Sequence, residues 1–233
     1  MADQITYSLD SLPDGAWCRS VSAEPGVHDG RPGLRVALTE EIRTHGTPRV
    51  DYVDQPTFVV IPMELAAGRV EVDIAGDLLP DAPEWARGFV GVAFAIAPDV
   101  STFECVYVRP TNGLYVGAEA MRDQAATHIA VDWSTDEALR RQRAVQYYAY
   151  PDWPFDVLRE QRPDEGFEAG ADIAPGRWLH LVVEFDAASV RAEIDGVEVI
   201  HRARIGTPLP GALGMFADIG TDAYFANLVV IPA

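Results

Sequence analysis

The stretch RRQRAVQYYAYPDWPFDVLRE, residues 140–160, gathers arginines and aromatic rings inside a chain that is otherwise strongly acidic. Sugars are bound by aromatic faces that stack on C–H patches and by planar side chains that read hydroxyl groups from two directions. Tyr147, Tyr148, Tyr150 and Trp153 supply the rings, and Arg140, Arg143, Gln146 and Arg159 supply the hydrogen-bonding forks, with Asp152 in the same loop. Arginine holds two oxygens at a fixed spacing, which lysine does not. Pro151 and Pro154 restrict the residues before them to extended backbone, so Tyr150 and Trp153 are held in place. Each residue also has a plainer reading. A strand tyrosine commonly packs against its neighbours, Tyr147 shares a face with Val145, and an arginine in an acidic chain finds a carboxylate.

The segment ECVYVRPTNG, residues 104–113, is the neighbouring element. With Val106 and Val108 toward a core, Cys105, Tyr107 and Arg109 face the other way, and Asn112 falls in the turn that follows. Tyr107 and Arg109 are then expected beside Gln146 and Tyr148 on one sheet surface. A conventional glycosidase needs two carboxylates roughly 5–10 Å apart. Glu104, Glu119, Asp152, Glu168 and Asp172 are the candidates. Glu168 leads, because partial burial beside Phe167 is expected to raise its pKa toward acid catalysis. Glu104 shares parity with Val106 and reads equally as the buried partner of an arginine. His180 reads as a base or as an ordinary strand histidine.

These residues need strands to position them. Apolar alternation over short lengths, punctuated by Gly, Pro and Asp, predicts strands at 33–40, 57–65, 68–76, 88–97, 103–110, 113–120, 128–133, 143–150, 177–186, 189–196, 211–218 and 223–231. DVLREQ at 156–161 is the one good helical segment. In RWLHLVVEFD, Leu179, Leu181, Val183 and Phe185 share one face while His180 and Glu184 share the other, which implies two packed layers. Asp195-Gly196 between apolar alternations predicts a tight hairpin turn. LLPDAPEWARG, residues 78–88, reads as a loop. The expected architecture is all-β, a two-sheet antiparallel sandwich forming a single domain over 1–233.

A formal charge of −18 repels phosphate backbones and anionic lipid surfaces, so nucleic acid and membranes are poor partners. No apolar run reaches the ~20 residues of a membrane helix, and the first residues carry no signal-like pattern; a cytoplasmic location is the expectation. Cys18 and Cys105 read as buried free thiols. His28, His45, His128 and His201 show no ligand spacing, and no metal or cofactor motif is evident.

GFVGVAFAI, FECVYVRPTNG, RRQRAVQYYAYPDWPFDVLRE, FEAGADIAPGRWLHLVVEFDAASVRAEIDG and GALGMFADIGTDAYFANLVV together resemble the concanavalin A-like lectin/glucanase superfamily, in its laminin-G-like branch. The likeness is greatest to the 3-keto-disaccharide hydrolase domain family, over about residues 88–230. It implies a β-jelly roll with a ligand groove on its concave sheet, and a final strand that pairs near the N-terminal one, placing Ala223, Phe225 and Leu228 beside Ile5, Tyr7 and Leu9. It also implies cleavage of a glycoside oxidised to a ketone at C3, where one base, for which His180 is the candidate, and an enolate stabiliser, Arg109 or Arg143 or a metal, suffice. A structural calcium and oligomerisation are compatible with the superfamily. The leading expectation is thus an enzyme cleaving a small glycoside or 3-keto-glycoside. The alternative is a non-catalytic, lectin-like carbohydrate-binding domain or a subunit of a sugar-processing complex. A deep pocket with an acid of raised pKa favours catalysis, and a flat aromatic shelf favours binding.

Overall fold

A computed structural model describes residues 4–113 and 141–233. The strands are β1 (Ile5–Tyr7), β2 (Trp17–Arg19), β3 (Val21–His28), β4 (Arg31–Leu38), β5 (Phe58–Leu65), β6 (Gly68–Leu78), β7 (Val90–Ile96), β8 (Phe103–Val108), β9 (Val145–Tyr150), β10 (Glu168–Ala169), β11 (Leu179–Phe185), β12 (Ser189–Ile194), β13 (Val197–Ala203), β14 (Gly211–Ala217) and β15 (Thr221–Pro232). Two short helices, α1 (Glu40–His45) and α2 (Phe155–Gln161), join them. One sheet runs β13-β12-β11-β6-β15-β4-β3 with β1 added on β15, and the other runs β10-β9-β8-β7-β14-β5-β2. The predicted strands at 113–120 and 128–133 lie outside the described residues, apart from Gly113.

Alternation sets the inner layer. Leu179, Leu181, Val183 and Phe185 are all buried, and Phe185 stacks on Phe94 of β7 with ring centroids 4.4 Å apart, so this is where the two sheets meet. Because Phe94 pairs with Glu104, and Val106 with Tyr147, all four residues point into that interior. The hairpin is as expected: Asp195 and Gly196 have φ of 50° and 78° between β12 and β13. Ile5 and Tyr7 do meet β15, at Val230 and Leu228, whereas Ala223 and Phe225 pair with β4.

The other face of the seven-stranded sheet is also buried, which simple alternation does not anticipate. Phe58, Phe103, Tyr107, Tyr148 and Phe216 lie there with almost no exposure and form a second aromatic layer. Gly91 sits between Tyr107 and Phe216 in register, and a Cβ there would meet Tyr107 Cβ at 2.7 Å. Its missing side chain lets the two rings approach to 5.4 Å across the strand. Tyr52 and Trp85, stacked 6.0 Å apart, and Leu158 of α2 bring the 46–57, 79–89 and 151–161 segments onto the hydrophobic core. Cys18 departs from expectation: β2 is a three-residue edge strand with every residue exposed, so this thiol is at the surface, while Cys105 is buried.

Candidate functional site

Between the aromatic layer and its covering loops lies a cavity of about 600 Å3, within the range of small-ligand sites. Tyr107, Arg109, Asn112, Arg143 and Arg159 line it, joined by Arg49, Asp54, Trp85, Arg87, Phe89, Phe155 and Asp218. The register explains the first group. Tyr107 pairs with Gln146, and Gln146 pairs with Glu168, so these three side chains stand in a row across β8, β9 and β10 on the cavity side. Arg109, just beyond β8, threads through that row. Its Nη2 donates to the Tyr107 hydroxyl at 2.8 Å and to Gln146 Oε1 at 3.2 Å, and its Nη1 donates to Glu168 Oε1 at 2.7 Å. Gln146 is wholly buried and gives its amide N–H groups to the Tyr147 and Phe167 carbonyls, so it supports Arg109 from behind.

Glu168 is not a raised acid. Burial does push its pKa up, but hydrogen bonds and charges from Arg159 and Arg109 outweigh it and hold the carboxyl below its ordinary range. Arg159 Nε donates to it at 2.8 Å, and Arg143 Nε stands 3.5 Å away. It is a counter-ion shared among arginines.

The acid that matches the requirement is Asp54. Its carboxyl is buried on the cavity wall, and desolvation, with the Asp218 charge adding to it, raises its pKa to about 6. Phe155 N–H donates to its Oδ2 at 2.7 Å, and the Tyr107 hydroxyl donates to its Oδ1 at 3.3 Å. Burial keeps the Tyr107 phenol far above its usual pKa, so that hydroxyl remains a donor. Arg109, Tyr107 and Asp54 therefore form a directed chain of hydrogen bonds. Val53 and Asp54 both have positive φ, 67° and 59°, and the branched Val53 is strained there. Asp218 accepts from the backbone N–H groups of Val53, Asp54 and Ile219, which fixes this turn.

No protein-family model matches the chain, and no curated protein matches it. Solved structures do. A Bacillus subtilis protein of unknown function with a galectin-like fold aligns with a TM-score of 0.52 at 12% identity, covering 98% of this chain and 96% of its own. Domain 4 of an extracellular arabinanase from Geobacillus stearothermophilus, in complex with arabinotriose, gives 0.49 at 12% identity over 98% and 91%. Bacillus licheniformis β-glucanase gives 0.47 at 9% identity over 100% and 99%. The fold is a concanavalin A-like jelly roll. At these identities the likeness is one of architecture, and the site must be read from its own residues.

Within this jelly roll several predicted residues fall elsewhere. Glu104 points into the sandwich, where Arg204 and the Tyr147 hydroxyl both bond it; it is the buried partner of an arginine, as its parity allowed. His180 stands on the eight-stranded sheet, with Nδ1 2.8 Å from Asp73 Oδ1, and does not line the cavity. Tyr148 is sealed inside the aromatic layer, so it offers no face to a ligand. Asp152 and Trp153 border a separate hollow of about 40 Å3, and Trp153 packs under the Arg162 guanidinium. Asp172 is exposed near Arg177. Arg140 and Glu119 lie outside the described residues. Among the described residues no group of three His, Cys, Asp or Glu is placed to hold a metal ion, so the calcium compatible with the superfamily has no ligand set there. No described helix is long and apolar enough to cross a membrane. The sequence reading missed Asp54, Arg49, Phe155 and Asp218. The weak signal available was VDYVDQP, a turn-rich stretch carrying two aspartates just before a strand.

Proposed function

We propose that this protein is a carbohydrate-active enzyme that cleaves a small glycoside in the cavity, with Asp54 moving the proton. One observation carries the reading: a buried carboxyl with a pKa near 6 faces a ligand-sized cavity and is hydrogen-bonded to a tyrosine and an arginine chain. A cavity with a buried acid on its wall suits catalysis better than the flat aromatic shelf of a binding module.

The chemistry best suited to these residues is the one-base cleavage of a 3-keto-glycoside. Burial raises the pKa of Asp218 as well, but its oxygens are committed to three backbone N–H groups, and Glu168 is neutralised by arginines, so we assign the proton transfer to Asp54. Ionised Asp54 removes the C2 proton, and the C–H electron pair passes into an enolate whose charge rests on the C3 oxygen. The positive charge of Arg109, which lines the cavity, favours it. The enolate collapses to reform the C3 carbonyl, C1–C2 becomes a double bond, and the C1–O bond breaks. The departing alkoxide takes its proton from Asp54, and water then adds across C1 and C2.

The test is a panel of glycosides and their 3-keto derivatives. Turnover of a 3-keto-glycoside that falls by about 10²–10⁴ in Asp54→Asn, with substrate still bound, is the expected result. Undiminished turnover in that variant removes Asp54 from the mechanism.

A further inference from the structure

We propose that the saccharide taken by this cavity is anionic, and that its carboxylate or phosphate group docks between Arg49 and Arg159; this deepens the glycosidase reading and rests on it. The argument starts from Phe155, whose ring lines the cavity. Three guanidiniums surround that one ring: Arg159 at 4.6 Å from its centroid, Arg49 at 5.0 Å and Arg109 at 5.4 Å. Arg87 and Arg143 also line the cavity. So dense a set of cations, in a chain of net charge −18, marks this wall as a place built for negative charge.

The nearby carboxylates do not use it up. Arg109 and Arg159 share a single one, Glu168. Arg49 pairs through Nη2 with Asp156, which is half exposed and turned to solvent. Among the described residues, Nη1 of Arg159 and both Nε and Nη1 of Arg49 have no acceptor, and both side chains are about one-third exposed at the cavity. A guanidinium presents five N–H donors in a planar fork that matches the two oxygens of a carboxylate or phosphate. Neutral hydroxyls satisfy such donors singly; an oxyanion satisfies them in pairs. The two carboxylates that do line the cavity feel the Arg49 charge but make no hydrogen bond to an arginine among the described residues. Asp218 is bonded to backbone N–H groups, and Asp54 to Phe155 N–H and the Tyr107 hydroxyl. The oxyanion therefore belongs on the arginine side, leaving the glycosidic carbon to reach Asp54.

The experiment is calorimetric titration of the full chain with methyl hexosides, the matching methyl hexuronides, hexose 6-phosphates and inorganic phosphate. One of the two acidic classes is expected to bind about tenfold or more tightly than the neutral hexoside, and which of them does so names the oxyanion. Arg49→Gln should reduce that preference by about tenfold, with Arg49→Lys intermediate; Arg49 sits at the rim, and a thermal melt confirms folding. Equal binding of neutral and acidic sugars, a preference unchanged in Arg49→Gln, or inorganic phosphate binding as tightly as the sugar phosphate would each overturn the inference. In the first two cases Asp54-dependent turnover of neutral glycosides would leave the enzymatic reading intact. A retained acidic preference without any Asp54-dependent turnover would sink that reading alone.

Discussion

Asp54 makes a prediction about stability that is independent of any substrate. Its carboxyl has a pKa of about 6 in the folded chain against 3.8 in an exposed reference, because it is buried beside the Asp218 charge. A carboxyl raised in this way keeps a proton in the folded state that the unfolded chain has already released. The favourable contribution is complete below pH 3.8 and disappears as pH rises through about 6. Above that, holding the ionised group in place costs about 3 kcal/mol, at roughly 1.4 kcal/mol per pH unit. Between pH 5 and pH 8 the cost grows by about 1 kcal/mol. Asp54→Asn removes the titration but keeps one oxygen, which can serve either the Phe155 N–H on Oδ2 or the Tyr107 hydroxyl on Oδ1. Its amide N–H groups lack acceptors, a penalty of about 1–3 kcal/mol that does not vary with pH. Urea unfolding of both proteins at pH 5, 6.5 and 8, all above the isoelectric point near 4.5, gives the comparison. Relative to wild type, the variant should gain about 1 kcal/mol over that range while losing activity. A stability difference that is the same at pH 5 and pH 8 would show that Asp54 is not a raised acid, and the proposed mechanism would lose its base.

Three further substitutions separate support from chemistry. Glu168→Gln leaves the buried Arg109 without its main counter-charge and should destabilise by about 3 kcal/mol or more, read as a lower urea midpoint. Because the Glu168 pKa is lowered, its stabilising effect is present above the unfolded carboxyl pKa and fades as pH falls, opposite to Asp54. Glu104→Gln breaks an almost fully buried pair with Arg204 and should cost about 3–5 kcal/mol, with no change in pH–rate profile for the protein that remains folded. Among the described residues the buried Tyr148 hydroxyl meets only the weakly bonding Cys105 thiol, so Tyr148→Phe should change stability by no more than about 1 kcal/mol in the same unfolding assay.

The strands were legible because their burial is one-sided and local. In β11 a two-residue period gives the inner face directly, and the Asp195-Gly196 pair marks the hairpin without reference to the rest of the chain. The same parity placed Tyr107 and Gln146 opposite one another, because register across β8 and β9 follows from which residues turn toward the sandwich. The pattern weakens where both faces are covered. β7, β8 and most of β9 are buried throughout, so alternation there cannot tell a ligand-facing tyrosine from one inside an aromatic layer. Tyr148 and Tyr107 have the same residue type and face, and differ only in which loop lies above them. β2 and β10 escaped because two or three residues carry no period at all, and the eight-residue β3 escaped because VSAEPGVH is mostly exposed at a sheet edge and holds a proline and a glycine.

Asp54 was beyond reach for a different reason. Its pKa depends on removal from water, and that is accomplished by Phe155, about one hundred residues later in the chain, and by Asp218, more distant still. Residues 52–55 alone read as a solvated turn. A sequence-local argument therefore finds carboxylates on strands, such as Glu168 and Glu104, and cannot see the arginines that meet them from outside the strands, Arg109 and Arg159 for the first and Arg204 for the second. Those arginines hold the Glu168 carboxyl below its ordinary range, so near neutrality it is ionised and has no proton to give. The raised acid is found where irregular backbone carries a carboxyl into an enclosed space and satisfies it with few donors. Strained φ at Val53 and Asp54 is the structural mark of that placement, and the sheet beneath supplies Arg109 and Tyr107 as a rigid reference. In this jelly roll the sheet holds Tyr107 still, with Arg109 at its edge, while a loop closed by long-range contacts carries Asp54, the carboxyl to which we assign the proton transfer.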